Sequence, residues 1–334
     1  MPGQAQFHPI KYNQGTRRGV YRERGRGRRE LPIPFPRGIR RGGTSPYQPG
    51  GGPGKTCRFC DPPHLPGSVC STSPAAPYRS YVIAFSLKGN SYPSTLGYDL
   101  YDSYHYYRTH EIDGKKMVIA GGEDHKTGHT GDAGACLSRL EDHCRQQFDV
   151  DRVEYAWSSQ YFEPADGLPS IGVLPPSEGR VFVATGFRGN GMTFGTLSSA
   201  IITDLINEGS SRYEALFNPR RFRPTAGFTT FIKENATVLK DMIGDKIGME
   251  RIRSLAEIAA GEAKVIRHEG RSYAVFAEQD GELHVLRSTC PHAKCEVRWN
   301  NAELSWDCPC HGSRFNVNGQ ILTGPTTTGL ERIE

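Results

Sequence analysis

Two short segments near the end of this 334-residue chain constrain it most: Cys290-Pro-His292-Ala-Lys-Cys295 and Cys308-Pro-Cys310-His311-Gly-Ser313. Each joins one cysteine closely to one histidine, and fifteen residues separate His292 from Cys308. Each also follows a stretch that reads as a strand, so both segments fall on loop tips. A [2Fe–2S] rhomb needs two ligands per iron. Thiolates suit the more oxidised iron, and imidazoles suit the iron that shuttles between ferric and ferrous states. The competing reading is a structural zinc site. Zinc fingers usually separate a Cys-x₂₋₄-Cys pair from a His-x₃₋₅-His pair, whereas here each half-site holds one of each. Zinc also leaves Cys295 and Cys310, at fixed offsets from the ligands, without a role.

These residues resemble the Rieske family, whose pattern is C-x-H-x-x-C followed by C-x-C-H-G-S, over about residues 255–334. The resemblance implies that Cys290 and Cys308 bind one iron, and that His292 and His311 bind the other. It further implies a Cys295–Cys310 disulfide tying the loops together, and a Ser313 hydroxyl that hydrogen-bonds the cluster. Pro325 falls in the segment that shields the cluster in that family. Phe315 stands where high-potential members carry tyrosine, which predicts an intermediate reduction potential.

The rest of the chain is uneven. Thirteen of its 23 prolines precede residue 80, and residues 14–76 show no apolar period of 2 or 3.6. That composition predicts a disordered segment over 1–76. Arg17–Arg41 is arginine-dense with Glu23 and Glu30 its only acids. No aromatic residue interleaves its arginine-rich middle, so the expectation is a solvated run with no nucleic-acid partner. No apolar run approaches the roughly 18 residues that span a bilayer, and no secretory h-region opens the chain. A cytoplasmic protein without a membrane span is expected. Pro49–Thr56 ends like a P-loop but lacks its first glycine and a preceding strand. Cys57, Cys60 and Cys70 lack a well-spaced fourth ligand.

Strands are predicted over 78–87, 115–123, 150–164 and 180–187, with a helix over 133–148 whose apolar residues recur at Cys136, Leu137, Leu140, Cys144 and Phe148. The strand at 180–187 runs into the glycine turn "GFRGNGMTFG" and a helix over 196–209, one α/β unit. A strand–glycine–helix turn lets backbone amides approach an electron-rich ligand. With "PADGLPSIG" (164–172), this segment resembles FAD-dependent oxidoreductases of the D-amino-acid/glycine oxidase class. The resemblance is closest to the subgroup carrying a C-terminal Rieske domain. It implies flavin contacts from Gly186, Arg188, Gly189, Asn190, Gly191, Met192 and Thr193. Residues 105–129 are similar to the end of that family's substrate-side sheet, and His105 and His110, amid tyrosines, read as surface or substrate-side residues rather than ligands.

One departure is large. The family opens with a strand–GxGxxG–helix unit that grips the FAD pyrophosphate, and this sequence has none. The expectation is an N-terminally truncated product with residues 14–76 a shifted reading frame, which sets FAD binding in doubt. The expected organisation is a low-complexity segment 1–76, a partial α/β flavoprotein domain 77–218, a linker 219–254 and an all-β Rieske domain 255–334. The expected function is electron transfer coupled to oxidation of a small amine or amino acid, with an outside protein or small molecule as electron partner. A Rieske module with an inert flavin half is the alternative. A Rieske oxygenase is disfavoured, because no two-histidine, one-carboxylate triad stands at helical spacing.

Overall fold

Tyr81, Ile83 and Phe85 alternate along one segment with Val82 and Ala84, and both sets are buried. Such a strand must be covered on both faces. The computed structural model describes residues 56–57, 75–101, 104–112, 114–174, 181–221, 258–268 and 270–333. The low-complexity segment, the arginine run, the Cys57/Cys60/Cys70 group and the linker therefore lie outside the described residues, apart from their edges.

The front part runs β1 (Thr56–Cys57), β2 (Ala75–Leu87), β3 (Gly97–Tyr98), β4 (Tyr106–Ile112), β5 (Lys115–Lys126), α1 (Ala133–Gln147), β6 (Val150–Pro164), β7 (Ser170–Val173), β8 (Val181–Thr185), α2 (Gly191–Asn207) and α3 (Glu214–Phe217). A five-stranded antiparallel sheet has the order β3-β4-β5-β2-β6, which places β2 between two long neighbours. Helix α1 covers one face: Cys136, Leu140 and Cys144 pack with Tyr81, Ile83, Phe85, Val118 and Ala120. These helical residues recur every four positions, so they share one face. Asp132 starts the helix by accepting from the Ala135 amide at 3.0 Å.

A second sheet, β1-β8-β7, carries α2, whose Ile201, Ile202 and Leu205 pack with Ile171, Phe182 and Ala184. The sequence predicts a helix over 196–209, but α2 begins at Gly191. Glycines at 191 and 195 lower intrinsic helix propensity and hide the first turn from pattern reading. Arg221, within the expected linker, packs back on the front part and pairs with Asp166 at 2.6 Å.

The C-terminal part contains β9 (Ala263–His268), β10 (Arg271–Ala277), β11 (Leu283–Arg287), β12 (Arg298–Asn300), β13 (Ser305–Asp307), β14 (Arg314–Asn316) and β15 (Ile321–Thr323). They form two antiparallel sheets, β11-β10-β9 and β12-β13-β14-β15, around a core of Ala274, Leu286, Trp306 and Phe315. The architecture is thus an α/β portion followed by a small all-β domain.

The two parts meet through a polar seam. Arg79 of β2 is 1% exposed and pairs with Glu303 at 2.6 Å, with Asp307 3.8 Å away. Arg314 also binds Glu303 and donates to Asp307 at 2.9 Å. Ser158 of β6 donates to Glu303. Asn301 accepts from the Gly134 amide at 3.0 Å and donates to Asp132 at 2.8 Å, so a turn of the C-terminal domain helps cap α1. Burial pushes the Glu303 carboxyl up, but Arg79, Ser158 and Arg314 outweigh it and the net shift is downward. A carboxyl depressed in the folded state stabilises that state above its unfolded value, near 4.5. That contribution is lost as pH falls through the lower folded value. Denaturant midpoints measured from pH 6 down to pH 3 are expected to fall more steeply in the wild type than in Glu303→Gln.

Candidate iron–sulfur site

The loop between β11 and β12 carries Cys290 and His292, and the loop between β13 and β14 carries Cys308 and His311. Short backbone bonds shape each loop. The Cys290 amide donates to the Cys295 carbonyl at 2.8 Å, and the Lys294 amide donates to the Cys290 carbonyl at 3.0 Å. In the second loop the Cys308 amide donates to the Ser313 carbonyl at 2.7 Å, and the Gly312 amide to the Cys308 carbonyl at 3.0 Å. Gly312 sits at φ 74°, and a Cβ there would lie 2.6 Å from Gln160 Nε2 and 2.8 Å from Pro77. Both conformation and the close approach of the front sheet therefore require glycine.

The loops bring four side chains to one place. Cys290 and Cys308 are buried, and the Cys308 thiol donates to Cys290. That bond holds the Cys290 thiol down to about 6 against burial, helped by the His292 and Ala293 amides and the Ser313 hydroxyl. The same bond, with burial, pushes Cys308 up. The His292 and His311 rings stand edge to face with centroids 4.9 Å apart. Burial lowers the pKa of His292 and takes His311 down to about 4, so both are neutral near pH 7. In both rings Nδ1 is buried without a hydrogen-bond partner. An unpaired buried nitrogen is costly, and a metal removes that cost. Two buried, facing cysteine sulfurs and two neutral imidazoles with matching unpaired Nδ1 atoms fit a [2Fe–2S] group.

Cys295 and Cys310 are joined by a disulfide, across a sequence separation of 15. Their sulfurs also approach that of Cys308. Sulfurs already bonded to each other are not available as thiolate ligands, which leaves Cys308 to face Cys290. Closing a loop of this size contributes about 3 kcal/mol through the unfolded chain. Cys295→Ala/Cys310→Ala is accordingly expected to lower the midpoint of thermal unfolding of the C-terminal domain, and reductant should do the same to the wild type only.

Around the pair, Ser313 is fully buried and its Oγ accepts from the Thr326 amide at 3.2 Å. Pro325 is buried beside it. Phe315 is fully buried in the core with Trp306 and has no hydroxyl to offer a cluster.

The glycine turn lies at the far end of β6. Gly186 sits at φ 79°, and a Cβ there would lie 3.3 Å from Pro164. Arg188 and Gly189 are also left-handed, at φ 50° and 75°. Asn190 precedes α2 without capping it through its side chain; its Nδ2 donates to the Arg188 carbonyl at 3.2 Å. The first turn, with Gly191, Met192 and Thr193, therefore presents amides not claimed by a side-chain cap. Open space surrounds Gly189. An uncapped helix start beside an open glycine turn fits the anionic edge of a flavin ring.

Sequence reading missed the residues that seat the second loop on the front sheet. Gln160 donates to the Gly312 carbonyl at 3.0 Å, and Arg298 donates to the Gly128 carbonyl at 2.7 Å. These contacts span 152 and 170 positions, and no local pattern signals them.

Residues 250–334 match the model for the Rieske [2Fe–2S] domain, and residues 61–205 match that for FAD-dependent oxidoreductases. The chain carries a C-terminal Rieske [2Fe–2S] domain, preceded by part of an FAD-dependent oxidoreductase domain. It is similar to YhfW of Bacillus subtilis, a Rieske 2Fe–2S iron–sulfur protein by name. The two are 33% identical over 256 residues, covering 77% of this chain and 50% of that one. Iron–sulfur subunit 1 of the Synechocystis cytochrome b6-f complex is 30% identical over 99 residues, covering 29% of this chain and 54% of that one. The chain thus spans about half the length of these relatives. A solved structure, L-proline dehydrogenase from P. horikoshii, is 18% identical with a TM-score of 0.36, covering 45% of this chain and 40% of that one. That likeness carries no argument of its own. Among the described residues no helix is long and apolar enough to cross a membrane.

Proposed function

We propose that the chain is an electron-transferring oxidoreductase in which Cys290 and Cys308 hold one iron of the cluster and His292 and His311 the other. The observation that carries this reading is the convergence of two buried thiols with two imidazoles whose Nδ1 atoms are buried and unpaired. Such a cluster, when bound, takes up and releases single electrons. The chain's own groups tune the site. The Ser313 hydroxyl and the His292 and Ala293 amides donate to Cys290, and the Cys310 and His311 amides donate to Cys308. Donors of this kind favour the more negative, reduced centre and raise the potential. Ser313→Ala is expected to lower the midpoint potential with the iron content unchanged. An unchanged midpoint in a redox titration would remove Ser313 from this role. With Phe315 in place of a hydroxyl-bearing residue, the wild-type potential is expected to be intermediate.

The flavin contacts are assigned to Gly186, Arg188, Gly189, Asn190, Gly191, Met192 and Thr193. A bound flavin supplies hydride acceptance and release of electrons one at a time. The uncapped start of α2 supports this assignment, since its partial positive charge favours an anionic ring edge. Strand β6 supports a link between the two halves. Gln160 touches Gly312, and Pro164, against which Gly186 packs, lies four residues further along, about 13 Å of strand. The substrate class is a small amine or amino acid, and the electron partner an outside protein or small molecule. The second reading is an electron-transfer module with an inert flavin half. Anaerobic purification with flavin counted per chain separates them. Stoichiometric flavin that bleaches with an amine or amino acid supports the enzyme, and iron without flavin supports the module.

A further inference from the structure

We propose that Asp99, His105 and His143 form a binding site for a divalent metal ion of the zinc class in the front domain, with Glu123 orienting His105. The site is remote in sequence from the iron–sulfur loops and does not rest on their assignment or on a flavin. Asp99 follows β3, His105 precedes β4, and His143 lies in the third turn of α1. Folding brings one ligand atom from each within 4.8 Å of the others. Asp99 Oδ2 lies 2.6 Å from His105 Nδ1 and 3.6 Å from His143 Nε2. Around a tetrahedral ion with bonds of about 2.0–2.1 Å, ligand atoms stand roughly 3.3–3.5 Å apart. The wider of these gaps is already close to that value, and the narrower has less than about 1 Å to open.

A plain structural role explains only part of this. The Asp99–His105 hydrogen bond, with the His105 amide donating to Asp99 at 2.8 Å, could simply lock a turn. A locked turn does not require the second imidazole; its ring is stacked on the first with centroids 3.9 Å apart, so one ring must tilt for both nitrogens to face one ion. Nor does it satisfy His105 Nε2, buried without a hydrogen-bond partner on a residue 7% exposed. Glu123 Oε1 stands 3.6 Å from that nitrogen, and Arg139 holds Glu123 in place at 2.7 Å. A histidine that binds metal through one nitrogen usually gives its other N–H to a carboxylate, which fixes ring and tautomer. Glu123 stands on the side that this arrangement needs. Two imidazoles and a carboxylate suit zinc and neighbouring transition metals, leaving a fourth position open. Arg139 neutralises Glu123, so Asp99 is the charged ligand. Tyr107 now hydrogen-bonds His143 Nε2, and the metal would displace that hydroxyl.

The test uses the full chain with its iron in place and zinc ion as the probe. Iron, sulfide and zinc are counted after desalting, and the unfolding temperature is read with and without zinc. The wild type is expected to retain one zinc per chain beyond its iron and to unfold at a higher temperature with zinc. His143→Gln and Asp99→Asn should each weaken zinc binding at least tenfold with iron unchanged, and Glu123→Gln by about 10–100-fold. Tyr107→Phe, which removes the competing hydroxyl, should bind zinc at least as well as the wild type, and so tests the site even if the other variants fold poorly. No bound zinc in the wild type, equal binding in His143→Gln and Asp99→Asn, or loss of zinc in Tyr107→Phe would overturn the proposal.

Discussion

Replacing Cys308 by serine is expected to empty the iron–sulfur site, with iron and acid-labile sulfide falling from two per chain to near zero. Cys308 is almost wholly enclosed and its sulfur faces Cys290. A hydroxyl at that point is a far poorer ligand than a thiolate for iron in a cluster. The loss should extend to folding, because metal binding energy is folding energy where ligands converge from two loops. Removing it leaves His292 and His311 Nδ1 buried and unpaired. The protein should then unfold at lower denaturant than the wild type. Cys136→Ala is the control. Cys136 is also a buried thiol, but it packs in α1 against the front sheet, so iron should stay at two per chain. Equal loss of iron in both variants would mean that Cys308 acts through general destabilisation.

Arg79→Ala is expected to cost about 3 kcal/mol and to uncouple the two parts of the chain. Arg79 is fully buried between Ser158 of the front sheet and Glu303 and Asp307 of the Rieske domain. Removing one member of a buried ion network leaves its partners uncompensated, typically at a cost of about 3–5 kcal/mol. The lower figure applies because Arg314 still pairs with both acids. Differential scanning calorimetry should show the change as a single transition separating into two. Gln160 should also lose its hold on Gly312, since both contacts lie on the same seam. An Arg79→Ala protein that keeps one transition at the wild-type temperature would show that the seam contributes little to coupling.

The sequence foretells some of this architecture better than the rest, for physical reasons. Long elements are plain: β2, β5, β6 and α1 lie within a few residues of their predicted positions, the strands because apolar, β-branched and aromatic residues fill them and α1 because its apolar residues recur every four positions. The four candidate ligands are equally plain, since two loops must supply closely spaced donors to one centre. The start of α2 is hidden by glycine, and strand β15 by its exposed Ile321 and Leu322. The seam and the Asp99–His105–His143 cluster are invisible for another reason. Their members are ordinary residues on separate elements, and only sheet register and helix placement bring them together. His105, read from its tyrosine-rich surroundings as a surface or substrate-side residue rather than a ligand, is not at the surface: it is buried between two carboxylates.

The central claim is that Cys290, His292, Cys308 and His311 enclose a [2Fe–2S] cluster. Metal and sulfide analysis of protein purified without oxygen tests it most directly, read together with the same analysis of His292→Ala and His311→Ala. Two irons and two sulfides per chain in the wild type, lost in both variants, is the result this account predicts. One zinc at these residues in place of iron, without sulfide, would contradict it.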